Sequence, residues 1–359
     1  MTRSHSRPAR RAACALLAAA VVGIGPARAQ EIHDAGEGRF ATRPLTVAAP
    51  LAPGEKLLVR SAATLAGKIT IRATETDRAV VVYTKQAVTD SRSRAVDYID
   101  LIAVDIGRVA DGARLQLRAP NPAPWSGAES GSVDAEIRVP ENVFVDIDAL
   151  YFDVTAEGPF SGVVNPSSLG RLEVYRVRGP VDLGTANRRV ILEDVAGDIA
   201  VRTSNSTLTA SDIESREHQA VFRNDGGEIR IEGLTGEVSI RNDFGLIDVT
   251  DFRPLGRRNV IRGQSAPITL EIADLGESQL VVSNRFEDVD ITAAADLSAV
   301  MSLAVGESGR IEVSGLRFQT DLVQRDRLGL VVGGGQGFIS SSISGSGNIY
   351  IRGRGQGEE

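Results

Sequence analysis

Two stretches decide how this chain folds: Asp194–Asn205, DVAGDIAVRTSN, and Gly233–Asp243, GLTGEVSIRND. Each has an apolar residue followed two residues on by glycine, then a short alternating run, then an asparagine. Alternation of apolar and polar residues is the period of a strand with one buried face. Working outward, the apolar residue recurs at Val177, Val195, Ile213, Leu234, Phe252, Leu275, Leu297 and Leu316, at spacings of 18, 18, 21, 18, 23, 22 and 19. A second series of turn residues keeps step with it. Asn187, Asn205, Asn224 and Asn242 are 18, 19 and 18 apart, Gly263 takes the next place 21 on, and Asn284 follows 21 later. Two marks that share one drifting period point to a repeating structural unit.

A period near 20 with two strands per unit is the mark of a solenoid. Leucine-rich repeats share the period but need leucine and asparagine at fixed offsets, which are missing. The pattern predicts an all-β fold, a right-handed parallel β-helix-like solenoid with one coil per repeat. Alternate residues would enter a shared apolar core. Asn187, Asn205, Asn224, Asn242 and Asn284 would form a structural turn ladder, each side chain bridging to the next coil, because asparagine tolerates the left-handed backbone of such turns. A row contacting carbohydrate or ions is the functional rival. An antiparallel β-sandwich is the alternative architecture.

Upstream the strand signals are less regular. Short β-branched runs occur at Leu57–Val59, Ile69–Ile71 and Val80–Tyr83, with further candidates at Ile99–Ile106, Leu115–Leu117 and Val133–Val139. No segment of useful length shows the helical period. Residues 120–131 hold three prolines and the only tryptophan, Trp125, and read as a loop. Residues 30–44 read as a flexible leader, 45–140 as an N-terminal β region, 141–352 as the repeats and 353–359 as a tail.

The first 29 residues read as a signal peptide: Arg3, Arg7, Arg10 and Arg11, an apolar run over Ala12–Ile24, then Ala27-Arg28-Ala29 with Ala27 and Ala29 as the small cleavage-site residues. The apolar run is too short for a comfortable membrane span, so no transmembrane anchor is expected. The one cysteine, Cys14, lies within that run, which leaves no disulfide or thiol chemistry to the mature chain. Of 40 basic residues five fall in the signal, leaving 35 against 47 acidic ones and a mature net charge of −12. That balance disfavours nucleic acid and suits a periplasmic or extracellular protein.

Segments Ser61–Tyr83 (SAATLAGKITIRATETDRAVVVY) and Ala135–Val145 (AEIRVPENVFV), the two quoted repeats, and the closing Phe338–Arg352 (FISSSISGSGNIYIR) resemble a widespread bacterial group known as "putative adhesin" or auto-transporter adhesin head domains. The resemblance spans most of the mature chain. It implies an envelope or secreted β-repeat protein without catalytic residues to carry over. The membrane strands of a true auto-transporter do not follow the repeats.

Residues able to carry chemistry are sparse. Of three histidines, His5 leaves with the signal, His33 sits in the leader and His218 in a lengthened turn. Clustered His and Cys for a zinc-type site are absent. Paired acids could serve a polysaccharide hydrolase or lyase on a β-helix scaffold; the candidates are Glu287, Asp288 and Asp290, and Glu193, Asp194 and Asp198. Alternate outward acids are nevertheless what any soluble strand shows. Gly333-Gly334-Gly335-Gln336-Gly337 precedes a strand-like run, so it reads as a turn and not a phosphate loop. Arg188-Arg189, Arg257-Arg258, Arg325 and Arg327 read as a solvated face. The expectation is a non-enzymatic binding or structural protein without a cofactor. Its partner would be an envelope protein or glycan, and an open solenoid end near 338–352, guarded only by the charged tail, could self-associate.

Overall fold

The computed structural model describes residues 31–354. The expected signal segment with Ala27 and Ala29, and most of the tail, lie outside the described residues. The described chain is an all-β solenoid: twenty-nine strands joined in one continuous hydrogen-bonded system, with a single helix.

Each coil contributes to two stacks of parallel strands. One stack begins Gly112–Arg118, Lys56–Ser61, Phe144–Asp148, Gly162–Ser168, Val181–Ala186 and Ile199–Ser204. The other begins Ser130–Val139, Ala66–Ala73, Tyr151–Phe160, Leu172–Arg178 and Val190–Ala196. Two long strands, Leu208–Asn224 and Ile229–Phe244, turn the corner and serve both stacks. Register repeats by whole coils. Leu172, Val190, Leu208, Ile229, Ile247, Ile268, Val289 and Ile349 lie in one inward column and are all buried. Burying each such side chain contributes about 1.5–3 kcal/mol, which is how a chain poor in aromatics holds its core.

The apolar mark found in the sequence is a second column: Val177, Val195, Ile213, Leu234 and Phe252 pair in succession. It continues at Ile272, not Leu275. The residue before each apolar mark is left-handed, at Arg176, Asp194, Asp212, Gly233 and Asp251. That kink bends the strand into a third short side of the coil. Two residues after the mark the coil turns again. A Cβ at Gly197 would lie 2.4 Å from the Gly179 carbonyl oxygen, and one at Gly236 would lie 1.8 Å from that of Ser215. The glycines stand there because the coils approach too closely for a side chain.

At both ends, spatial order departs from chain order. The first coil, 56–73, lies inside the stack, between 112–139 and 144–160. The last coil, Gly337–Ile343 with Ile349–Arg354, slots between 279–294 and 299–314. The expected open end at 338–352 is therefore interior. The outer positions belong to Ala299–Ala304 and Ile311–Ser314, and the hairpin Phe318–Val323/Arg327–Val332 covers the first of them. Likewise there is no boundary near 140, since Lys56–Ser61 pairs directly with Phe144–Asp148.

Two further expectations are corrected. Residues 30–44 are not a flexible leader: Ile32–Gly36 and Arg39–Thr42 form an antiparallel hairpin that pairs with Arg78–Val88. It is fixed because Ile32 and Phe40 bury against Ala87, Ala95, Tyr98 and Ile99. Arg92–Asp100 is a helix, capped by Ser91, whose hydroxyl accepts from the Arg94 N–H. Its buried Ala95, Tyr98 and Ile99 make one short stripe. That is less than two turns of period, too little to register in the sequence. The residues from Ala103 to Val109, and not those from Ile99, form the strand that follows.

The N-terminal cap is tied to the stack by ionic contacts. Arg108 grips Glu55 with two guanidinium N–H donors, and the Ala52 N–H donates to the same carboxylate at 2.8 Å. The Arg108 hydrogen bonds, then the Ala52 amide, hold the Glu55 carboxyl down at about 2. A depressed carboxylate stabilises the fold above the unfolded value near 4.5, and that contribution is lost as pH falls through about 2. In R108A, the Glu55 carboxyl titration followed by NMR should move up toward 4.5. In the core, Phe222 is fully buried between Val201 and Ile240, and F222A should cost about 3–5 kcal/mol in guanidinium unfolding.

Candidate functional site

Parallel stacking puts outward side chains into rows that run from coil to coil. On one sheet a row runs Arg72, Glu157, Tyr175, Glu193 and Ser211. Arg72 pairs with Glu157 at 3.0 Å and with Glu136 at 3.4 Å. Glu173, in the adjacent row, lies 3.5 Å from both Arg171 and Arg189. Thr155, Glu157, Glu173, Tyr175, Arg176 and Glu193 line a shallow open depression. Partial burial pushes the Tyr175 phenol up, with Glu173 and Glu193 adding to it.

The other sheet carries a row that the sequence reading missed. Arg202, Arg223, Arg241 and Arg262 occupy the same place in four successive coils. All four are exposed. Their spacing of 21, 18 and 21 residues matches the repeat and was the available signal. The adjacent pairs Arg188-Arg189 and Arg257-Arg258 lie in turns instead.

The five asparagines fall in two places. Asn224, Asn242 and Asn284 are buried. The amide of Asn224 donates to Ser206 O at 2.8 Å, that of Asn242 to Gly227 O at 2.8 Å, and that of Asn284 to Ala266 O at 2.9 Å. Each acceptor belongs to the preceding coil's turn. Asn242 also donates to Gly245 O at 3.1 Å and Leu246 O at 3.2 Å. Asn187 and Asn205 do not share that row. Thr185 and Thr203 hold its places in their coils, while Asn187 and Asn205 are exposed turn residues at φ 61° and 50°. Gly263 does lie in the row, between Asn242 and Asn284. Asn259, unmarked in the sequence, makes another clamp: it accepts from the Val238 N–H at 3.2 Å and donates to Gln279 O at 2.9 Å.

Four of the six acidic candidates are engaged in structure, while Glu193 lines the open depression and Glu287 is a left-handed turn residue at φ 71°. Asp288 accepts from the backbone N–H of Asn348 at 2.7 Å, and Asp290 pairs with Arg352. Asp194 pairs with Arg178 at 2.5 Å, and Asp198 lies 2.5 Å from the His218 ring. His218 sits in an outward bulge within the strand Leu208–Asn224, where Ser215 pairs with Gly236 and Ala220 already with Val238. Gly333 and Gly335 take left-handed turns between strands. Among the described residues no group of His, Cys, Asp and Glu is placed to hold a metal ion. Nor is any helix there long and apolar enough to cross a membrane.

No family model matches the chain, and no curated protein matches it. Solved structures similar to it include a "putative cell adhesion protein" from Clostridium sporogenes, at 9% identity over 87% of this chain and 100% of that one, TM-score 0.22. A "putative adhesin" from Bacteroides fragilis is similar at 11% identity over 86% of this chain and 97% of that one, TM-score 0.32. A "putative lipid binding protein" from Parabacteroides distasonis is similar at 10% identity over 86% and 96%, TM-score 0.26. None is close enough to transfer a function.

The asparagine placement makes a graded prediction. N242A removes a buried amide that donates to the Gly227, Gly245 and Leu246 carbonyls and should cost about 1–3 kcal/mol. N187G replaces an exposed left-handed residue and should stay within about 0.5 kcal/mol of the parent. Denaturant midpoints at constant slope would measure both.

Proposed function

We propose that this chain is an exported, non-enzymatic envelope protein, adhesin-like, whose outward strand faces hold an extended partner. The observation that carries this reading is the shape of those faces. Outward residues lie in straight rows at a coil spacing of about 4.8 Å, and between Tyr151 and Ala294 the turns joining strands are short, so no long loops rise there to wall a cleft. A small-molecule enzyme site is concave and encloses its substrate. The depression beside Tyr175 is open instead. A flat, rigid surface presents repeated contacts at low ordering cost, which suits a polymer or another protein surface.

The competing reading, a polysaccharide hydrolase or lyase, needs two carboxyls free to exchange protons or hold a cation. Asp194, Asp288 and Asp290 are each committed to an arginine or to backbone amides. The export in this reading is supported by the Arg-rich start and Ala27-Arg28-Ala29, and its destination would be the periplasm or the cell exterior.

The test is co-sedimentation of the mature chain, residues 30–359, with purified peptidoglycan, capsule and lipopolysaccharide, followed by sizing of the recovered polymer. Retention of one polymer at unchanged chain length is expected. New reducing ends or unsaturated sugar products would replace this reading with the enzymatic one.

A further inference from the structure

The arginine row has no structural reason to exist. Like charges facing each other across strands are destabilising, and here four follow one another at about 4.8 Å. Neighbouring coils show that the place does not need them. The same row holds Gly184 before Arg202, and Ser283 and Ser342 after Arg262. Ion pairing offsets only part of the repulsion. Arg202 pairs with Asp182 at 2.7 Å and Arg241 with Asp243 at 2.9 Å. Among the described residues Arg223 and Arg262 have no ion-pair partner. They stand two coils apart, about 9.6 Å, with Arg241 between them.

The surroundings define what would lie there. Beside the arginines runs a parallel outward row of Ala200, Val221, Ser239, Val260 and Val281. It is small, flat and largely apolar. At the end of the same strands Phe244 is 54% exposed and Phe286 is 36% exposed. Each lies one ladder step from Ser265, so both rim the same edge. Guanidinium groups bind carboxylate and related oxyanions through paired N–H donors. Apolar rows and exposed rings suit the C–H faces of sugars.

We propose that Arg202, Arg223, Arg241 and Arg262 form a binding track for an extended anionic polysaccharide, its acidic groups following the coil repeat and its rings lying on the valine row toward Phe244 and Phe286. The inference rests on the extended-partner reading above and names its ligand class. A nucleic acid fits less well. Duplex DNA carries one charge per about 1.7 Å, far denser than a row of arginines spaced at about 4.8 Å and flanked by Asp182, Asp225 and Asp243.

The probe is polygalacturonate, with neutral dextran and single-stranded oligodeoxynucleotide as controls, titrated against the mature chain by calorimetry at several salt concentrations. The parent chain should bind polygalacturonate, with affinity falling as salt rises, and should ignore dextran. R223Q/R262Q should bind about tenfold more weakly with a shallower salt dependence. R310Q/R317Q, which removes the same charge from the far end of the stack, should bind as the parent does. All three proteins should show the same far-ultraviolet circular dichroism. Undiminished binding by R223Q/R262Q would overturn the track. Equal binding of dextran would overturn the anionic assignment, and tighter binding of the oligonucleotide would overturn the polysaccharide one. Parental failure on polygalacturonate with retention of another envelope polymer would overturn only this inference. Failure on every polymer would remove the extended-partner reading too.

Discussion

Backbone hydrogen bonding between coils, strand on parallel strand in register, is the constraint on which everything else in this molecule depends. It fixes the coil separation at about 4.8 Å, and from that follow both the core and the surface. Inward, it stacks Leu172, Val190 and Leu208 in one column, so each coil buries its apolar residues against its neighbours rather than within itself. At the corners it brings backbones so close that Gly197 and Gly236 cannot carry a side chain. Ser215 occupies the intervening corner without a glycine, and the bulge that carries His218 follows directly after it. Outward, it turns each polar position into a row whose chemistry is multiplied by the number of coils.

A stack of parallel strands has two exposed ends, and each is a template for unwanted pairing. The chain deals with both in the same way. It lays one coil, continues to build a further coil on its outer side, then returns. At the start the returning segment is Phe144–Phe160; at the finish it is Gly337–Arg354. Coil 56–73 and the final coil are thus held by parallel partners on both sides. The outer coils are covered in part by antiparallel strands: Ala103–Val109 on one side, Arg327–Val332 on the other. Antiparallel strands suit this duty because they are reached through tight turns, whereas a parallel partner needs a long return path.

That manoeuvre explains why the sequence was legible in the middle and not at the ends. Between Leu172 and Asn284 spatial neighbours are also neighbours by one repeat, so periodicity in the sequence is periodicity in space. The marks at Val177, Val195, Ile213, Leu234 and Phe252 are one column in the fold. Beyond Ile272 the partner of Val289 is Ile349, sixty residues on, and no local spacing reports such a jump. The hairpin at Ile32–Thr42 escaped for a different reason. Its strands are short and without clear alternation, and their order comes from Ile32 and Phe40 meeting a helix too short to show a period. The asparagine series mixed two roles because the turn residue and the buried clamp lie two positions apart. Asn187 and Asn205 satisfy the left-handed turn, while Asn224, Asn242 and Asn284 satisfy carbonyls of the adjacent coil. Thr203 and Asn224 are one coil apart at 21 residues, so the two-position step from turn residue to clamp leaves 19 between Asn205 and Asn224.

The same multiplication that makes the core cheap to build makes a surface row expensive to misuse. A single exposed arginine is neutral to stability, whereas one repeated in register across four coils accumulates repulsion at each step. On the opposite sheet, basic neighbours in a row are offset by acids in the next row: Arg72, which lies beside Arg138, reaches both Glu136 and Glu157, and Arg171 and Arg189 both reach Glu173. On the arginine row the compensation is incomplete, since only alternate members, Arg202 and Arg241, make an ion pair. A repeat that drifts freely between glycine, serine and arginine at this position could have lost the charge in any coil at no cost to the fold. Four consecutive arginines in register therefore speak to something outside the fold, and what can compensate positive charge at regular intervals is negative charge arriving at regular intervals.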